Sequence, residues 1–474
     1  MINWGEIEGR FNPSYYTKDI LDIFEKIKAN GITRLLNICD KIKNGSTPKG
    51  GEFEESGIVY YRSQDFDLYQ MNQGTYITEE FNQAIKRSYC RQNDILLAVV
   101  GATLGKIGYI QHFHQEGNIN QNVARIRIVS NDYLPEFIAI YLYSTMGQTF
   151  IKRYATITAQ PYLNNEQINR IPIPMLHKDC QQHIIDVVKA AYEQKHQKEQ
   201  QAKDLLNSIN SYLLHELGIV MPQEDENALE NRMFFTGSNQ VLGGRFDPRK
   251  YTNRYQKIFA AIENSPFEKK CLWEIILDDI SGNWGLDETE TGSELVHCLT
   301  IRATEFDNKF NLNLENNRTK YRKYKQQTYE KIALNPNEIL VEKSGGSDEQ
   351  PVGRVAFIEK DMVENNTLAY SNFIHKLILN ELDVYPRYVF EYLRLMHNIK
   401  ATEVMQTQTN GIRNLIMREY FGQAIVLPDK DMQKRIADKV SKIRIHAKKL
   451  EMDADNTIKE ARAQVEKILL KGSL

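Results

Sequence analysis

The sequence is written twice, and that duplication limits every fold open to it. "GRFNPSYY" at Gly9–Tyr16 returns as "GRFDPRKY" at Gly244–Tyr251. Each is followed by a short helical pattern, Ile20, Leu21, Phe24 and Ile27 in the first copy and Ile258, Phe259 and Ile262 in the second. The order then runs in parallel. "YYRSQDF" (Tyr60–Phe66) matches "CLTIRATEF" (Cys298–Phe306), and "NDILLAVVGATLGKIGYI" (Asn93–Ile110) matches "NEILVEKSGGSDEQPVGRVAFI" (Asn337–Ile358). "DYLPEFIAIYLYS" (Asp132–Ser144) matches "DVYPRYVFEYLRL" (Asp383–Leu395), and "INRIPIPML" (Ile168–Leu176) matches "YFGQAIVLP" (Tyr420–Pro428). A duplicated unit predicts one architecture built twice.

Within the first copy, "VVGATLGKIG" (Val99–Gly108) has the look of a loop that cradles phosphate. Such a loop needs four residues between its glycines and a Ser or Thr after the lysine. Here three residues separate Gly101 from Gly105, and Ile107 follows Lys106. The period-two run Ile95–Val100, the glycines and then Ile107–Ile110 predict strand, tight loop, strand. No helix N-terminus follows to stabilise an anion, so no nucleotide site is expected; a plain β-hairpin is the other reading.

Each copy closes in a long polar helix, starting at "KDCQQHII" (Lys178–Ile185) and "KDMQKRIA" (Lys430–Ala437), after the prolines that end the preceding strands. In the first, Ile184, Val188, Ala191, Ala202, Leu205, Ile209 and Tyr212 keep spacings compatible with a 3.5-residue repeat, interrupted by Lys195 and Lys198. The second carries a longer stripe: Ile436, Val440, Ile443, Ala447, Leu450, Ala454, Ile458, Ala461, Val465 and Ile468. From Gln181 to Leu217 a helix runs about 55 Å, longer than one such unit is wide. The pattern predicts an α+β fold: two mixed, strand-rich units with small helices, each followed by a long helix, the two helices pairing as an antiparallel coiled coil. The predicted boundaries are 1–178 for the first unit, 179–218 for its helix, 219–243 for the linker, 244–429 for the second unit and 430–474 for the second helix. The linker includes the polar stretch "MPQEDENALENR" (Met221–Arg232).

A length of 474 residues with 41% hydrophobic content supports several real cores. No apolar run approaches the roughly 20 residues that span a bilayer, and "MINWGEIEGR" lacks a signal-peptide pattern, so a cytoplasmic location is expected. Cys39, Cys90, Cys180, Cys271 and Cys298 are scattered and fit reduced thiols, and "HFH" (His112–His114) has no cysteine partners for zinc. Net charge of −2 argues against a uniformly basic binder but leaves room for patches. The strongest is "NRTKYRKYKQQTYEK" (Asn317–Lys331), where Arg318, Lys320, Arg322, Lys323, Lys325 and Lys331 interleave with Tyr321, Tyr324 and Tyr329.

This arrangement, with "DILLAVVGATLGKIG" and "KSGGSDEQPVGRVAFI" as its most specific pieces, resembles the specificity (S) subunit of type I restriction-modification systems over nearly the whole chain. The resemblance implies a non-catalytic DNA-reading subunit with two target-recognition domains. Each would read one half of a bipartite, asymmetric double-stranded target, while the paired helices set the spacer and dock two methyltransferase (M) subunits; endonuclease-translocase (R) subunits would complete the assembly. It further implies no cofactor in this chain, S-adenosylmethionine in the methyltransferase partner, and ATP and Mg in the endonuclease partner. No membrane partner is implied.

On that reading the hairpin loops are the first candidates for DNA contact: Gly101, Thr103 and Lys106 in one copy, Ser344, Gly345, Gly346, Ser347 and Arg354 in the other. Glycines admit close backbone approach, Lys and Arg carry charge for phosphates, and hydroxyls hydrogen-bond; a structural hairpin with solvated Lys106 and Arg354 is the alternative. The second set flanks the closing strand: Gln160 and Tyr162 in "TAQPYL", Asn410 and Arg413 in "TQTNGIRN". Amides suit adenine edges and guanidinium suits guanine or phosphate. Ser46 and Thr47 in "KNGSTPKGG" form a third set, with "SGNWG" (Ser281–Gly285) as the counterpart, and Lys320, Arg322 and Lys325 are assigned to the DNA backbone.

Three rival readings stand beside this one, the second of them still within DNA recognition. A stand-alone adenine methyltransferase is suggested by "NPSY" (Asn12–Tyr15), but the second proline of the base-holding motif is missing and its copy "DPRK" (Asp247–Lys250) departs further. A specificity chain of a type II enzyme that cuts both sides of a split site shares the same architecture. A coiled-coil scaffold leaves the duplicated strand-rich units without a purpose.

Overall fold

The computed structural model describes residues 17–29, 31–48, 53–223, 233–241, 247–292, 294–307, 311–315, 320–346, 351–409 and 411–472. The opening "GRFNPSYY", the first three residues of its copy, residues 224–232 and 242–243 of the linker, and Ser347 and Asn410 lie outside the described residues.

Alternating apolar residues build the same sheets in both copies. In the first, an antiparallel sheet orders Lys43–Asn44, Val123–Ile126, Ile95–Ala98 and Ile107–Tyr109. In the second, Ile276–Ser281, Ile374–Leu379, Ile339–Glu342 and Val355–Phe357 take the same order, again all antiparallel. A three-stranded sheet lies beside each, with Ile58–Tyr61 central in one and Leu295–Ile301 central in the other; each central strand has one antiparallel and one parallel neighbour. The proline-flanked closing strands pair with the strands after the first helices, Ile32–Arg34 with Pro172–Pro174 and Glu268–Cys271 with Ala424–Leu427. The helices that come after the four-stranded sheets and before those closing strands begin on a proline, Pro135–Tyr143 and Pro386–Asn398, as the fixed proline φ favours.

The copies differ beyond those helices. A further helix, Thr145–Tyr154, follows in the first. In the second a short 3-10 turn, Ala401–Met405, leads into a hairpin of Gln406–Thr409 and Ile412–Leu415.

The closing helices span Lys178–Glu216 and Lys430–Lys471 and pair antiparallel. The chain nevertheless divides as Met1–Gln200 with Lys449–Leu474, and Gln201–Lys448. Each unit therefore takes the start of its own helix and the end of the other copy's. In the first unit Val465, Ile468 and Leu469 join the core of Ile184, Ile185 and Val188. In the second, Ile209, Leu213 and Leu217 join Ile436, Ala437 and Val440. The lysines that break the first apolar stripe bond across the pair: Lys195 Nζ lies 2.9 Å from Asp455 Oδ1, and Lys198 Nζ 2.7 Å from Thr457 Oγ1.

A buried glutamine fixes each helix to its unit. Gln181 accepts the Leu134 N–H at Oε1 (2.8 Å) and donates through Nε2 to the carbonyls of Asp132 and Leu176 (2.8 Å each). Gln433, in the same place, accepts the Tyr385 N–H (2.9 Å) and donates to the Pro428 carbonyl (2.8 Å). Both side chains are buried, and their bonds to the Leu176 and Pro428 carbonyls lie in fully buried surroundings. Gln181→Ala should destabilise the protein by about 1–3 kcal/mol for each backbone group left unpaired, with Gln433→Ala acting likewise. Urea unfolding measures both, and unchanged midpoints would contradict the assignment.

Candidate nucleic-acid interface

The two hairpins are equivalent bond for bond. In the first unit Gly105 N–H donates to Ala98 O and Ala98 N–H to Lys106 O (2.9 Å each); in the second Gly353 N–H donates to Glu342 O (2.9 Å) and Glu342 N–H to Arg354 O (2.8 Å). Gly101 and Gly345 open the loops at φ +75° and +109°, while Gly105 and Gly353 close them at +89° and +97°. These are left-handed conformations that a side chain would strain. One loop is a 3-10 turn, Gly101–Thr103. The other is longer, and its Ser347 lies outside the described residues.

In both units the predicted second loop lies against the hairpin. Gly101 N–H donates to Pro161 O (2.9 Å), Val100 bridges Tyr162, and the Gln160 amide nitrogen is 3.5 Å from where a Gly101 Cβ would stand. Gln160 and Tyr162 are exposed. In the second unit Ser344 and Gly346 pair with Asn414 and Arg413.

The third loop also superposes in its bonding. Gly45 and Gly282 each pass so close to a neighbouring strand that a Cβ would fall 1.6 Å from Ile119 O or 2.1 Å from Ser371 O. The next residue's carbonyl accepts a tyrosine hydroxyl in both: Ser46 O from Tyr60 (2.6 Å), Asn283 O from Tyr324 (3.1 Å). Thr47 and Trp284 follow, both exposed. The expected "KNGST" and "SGNWG" equivalence thus has a structural basis, although Trp284 itself is not among the residues the sequence assigns to DNA.

Two expectations are corrected. Arg354 is buried, and its guanidinium donates to Glu342 through Nε (2.7 Å) and Nη2 (2.9 Å) and to the carbonyls of Phe306 and Ala303 (3.0 Å each). It holds the hairpin together, with its guanidinium bonded inside the unit to the Glu342 carboxylate and to two backbone carbonyls. Lys106, its equivalent, faces Ala98 rather than an acid; its Nζ reaches only the Gln64 carbonyl, at 3.5 Å. Opposite charges at facing hairpin positions, Glu342 and Arg354, are the signal in the sequence that marks this pair.

The second correction concerns the basic stretch. Lys320–Lys325 is a strand, so its residues alternate between two faces. Lys320 and Arg322 share the face of Tyr324, whose buried hydroxyl lies 3.0 Å from Thr300 Oγ1. Lys325 points to the opposite face with Tyr321, whose ring stacks on His297 at 5.1 Å. Arg322 is largely enclosed, its guanidinium 5.0 Å from the Trp284 ring centroid and its Nη2 3.4 Å from Gly285 O. The patch is two separate sets, of which Lys320 and Lys325 are exposed.

Under the loops the two units differ in chemistry. Ile42, Ala98 and Ala124 line the first. The second has Glu342 with Arg354, His375 Nε2 at 2.6 Å from Asp279 Oδ1, and Lys343 Nζ at 2.5 Å from Ser281 Oγ. Burial pushes the Glu342 carboxyl up, with Arg354 pulling it back, and pushes the His375 imidazole and Lys343 ammonium down. Among the described residues no cluster of His, Cys, Asp and Glu is arranged for a metal, and no helix is long and apolar enough to cross a membrane.

Removing one member of the buried pair strands the other. Arg354→Met should therefore cost about 3–5 kcal/mol, and adding Glu342→Leu should restore most of it. A double-mutant cycle by urea unfolding measures this, and additive losses would contradict the pairing.

Comparison with known proteins follows the same lines. Residues 30–207 match the family described as Type I restriction modification DNA specificity domain. A stretch of 139 residues is 30% identical to the type I restriction enzyme EcoBI specificity subunit of Escherichia coli, covering 28% of this chain and 28% of that protein's length. A chain from a structural study of complex assembly and conformational transition in the type I restriction-modification system superposes with a TM-score of 0.54 at 14% identity, over 93% of this chain and 96% of the other, which is a likeness of fold. Residues 30–207 are thus similar to a type I restriction-modification DNA specificity domain, while the sequence match to the curated specificity subunit spans little more than a quarter of either chain.

Proposed function

We propose that the chain is the DNA-reading, non-catalytic subunit of a type I restriction-modification complex, each unit reading one half of a bipartite, asymmetric target. The observation that carries this reading is the equivalence of the two loop sets. Glycines at matched positions hold loops on the same sheet framework, while the residues presented differ: Ala102, Thr103 and Leu104 between one glycine pair, a longer polar segment between the other. Direct readout depends on which donors, acceptors and apolar groups meet the groove edges, so unlike loops on like frames suit unlike half-sites. Thr103, Gln160 and Tyr162 would read the first half; Ser344, Gly345 and Arg413 would read the second, with Ser347 and Asn410 completing it, whereas Gly346, assigned to DNA from the sequence, is buried in its pairing with Arg413. Lys106, and Lys320 on the strand face it shares with Arg322, would neutralise phosphates, and Lys325 on the opposite face is not assigned to them.

The partners on this reading are two methyltransferase subunits seated along the paired helices, carrying S-adenosylmethionine, and endonuclease-translocase subunits using ATP and Mg. Two readers at a fixed spacing need half-sites about one helical turn apart.

Co-expression with the methyltransferase in a methylation-free host, followed by single-molecule sequencing of modified adenines, tests the reading. A split motif of two unlike halves should arise only when both chains are present. Methylation of the same motif by the partner alone, or none with both, would overturn it. Replacing Lys106 and Lys320 by Ala should weaken binding to all sequences alike and lower the salt slope by about one for each phosphate no longer neutralised. Gln160→Ala should change the motif in one half only, as the same sequencing would register.

A further inference from the structure

Trp284 is 44% exposed, yet the turn that carries it is held by a set of backbone and side-chain hydrogen bonds. Gly282 N–H donates to Ile374 O and Asn283 N–H to Tyr370 O (3.0 Å each), the Asn283 side chain accepts the Gly285 N–H (2.8 Å), and Leu286 N–H donates to Lys323 O (2.7 Å). Gly285, at φ +68°, packs on the Tyr324 ring so closely that a Cβ would lie 2.8 Å from it. Arg322 lies over the indole and is itself held by the Gly285 carbonyl. The indole is thus a rigid apolar plate with little conformational freedom left to lose on binding. It stands where the first unit has the hydroxyl of Thr47.

A second position changes in the same sense. Phe373, 41% exposed, stands where the first unit has Asn122: the Phe373 carbonyl accepts Lys343 N–H as the Asn122 carbonyl accepts Val99 N–H. Its ring is 3.5 Å from a Cβ built on loop Gly345. Two polar positions of the first reading face are therefore aromatic in the second. The indole offers one N–H donor and no acceptor, and Arg322 already lies over its ring, so most of what it can present to a base is apolar. The apolar feature of the major groove is the thymine C5-methyl.

We propose that Trp284, stiffened by Arg322, is a specificity-determining residue that reads a thymine methyl group in the second half-site. This rests on the DNA-reading role proposed above. The test uses the full chain assembled with its methyltransferase and the duplex found by sequencing, with each thymine of the second half replaced in turn by deoxyuridine, which deletes the methyl alone. Burial of one methyl predicts that a single replacement weakens wild-type binding by about four-fold. In Trp284→Thr that replacement should have no effect. Threonine is chosen because Thr47 occupies the same turn in the first unit, and an unchanged melting curve checks the fold. Wild-type binding indifferent to every such replacement, a second half-site without thymine, or undiminished sensitivity in Trp284→Thr would overturn the inference while leaving the DNA-reading role intact. Failure to bind any duplex would instead overturn that role.

Discussion

The antiparallel pairing of two long helices is the interaction on which the rest depends. Neither strand-rich unit closes its core with its own helix alone: Val465, Ile468 and Leu469 complete the first, and Ile209, Leu213 and Leu217 complete the second. Their burial supplies the apolar packing that the small sheets lack. The ion pair of Lys195 with Asp455 contributes little by itself, being partly solvated, but with Lys198 it favours one register over its neighbours. Gln181 and Gln433 then fix the start of each helix to the loop ahead of a proline-started helix, so a helix cannot shift without unpairing buried backbone groups.

Duplication kept the frame and changed its contents. At equivalent places beside the long helices, the first unit has Ile140 with Tyr143 and Tyr192, the two tyrosine hydroxyls 3.4 Å apart; the second has Glu391 paired with Arg394 and Arg444. The floor of the reading face changes in the same sense, from Ala98 and Ala124 to Glu342, Arg354 and His375. A buried ionic set is costly to form and strict about its partners, so the second unit's loops stand on a floor of different charge and geometry. Two units with one topology can therefore present unlike loop surfaces.

Much of this is legible in the sequence because periodicity and punctuation survive duplication. The glycines at 101 and 105, the prolines at 135 and 386, and the apolar alternation of Ile95–Ala98 mark the hairpins, the helix starts and the strands. The helix exchange is less legible, since a heptad stripe records that a helix packs but not which core receives it. The burial of Arg354 escapes a reading by residue type because exposure of a cation depends on its cross-strand neighbour, here Glu342, twelve positions away. The basic stretch looks like a single surface because charge density ignores the two-residue period of a strand, which places Lys320 and Lys325 on opposite faces.

Amide hydrogen exchange on a chain lacking residues 449–472 tests the shared-helix account most directly. The account predicts that protection collapses in the first unit, across Ile95–Ala98 and Val123–Ile126, while the second unit's Ile339–Glu342 keeps its own, and that adding the missing segment as a peptide restores the first. Full protection of the first unit without that segment would contradict it.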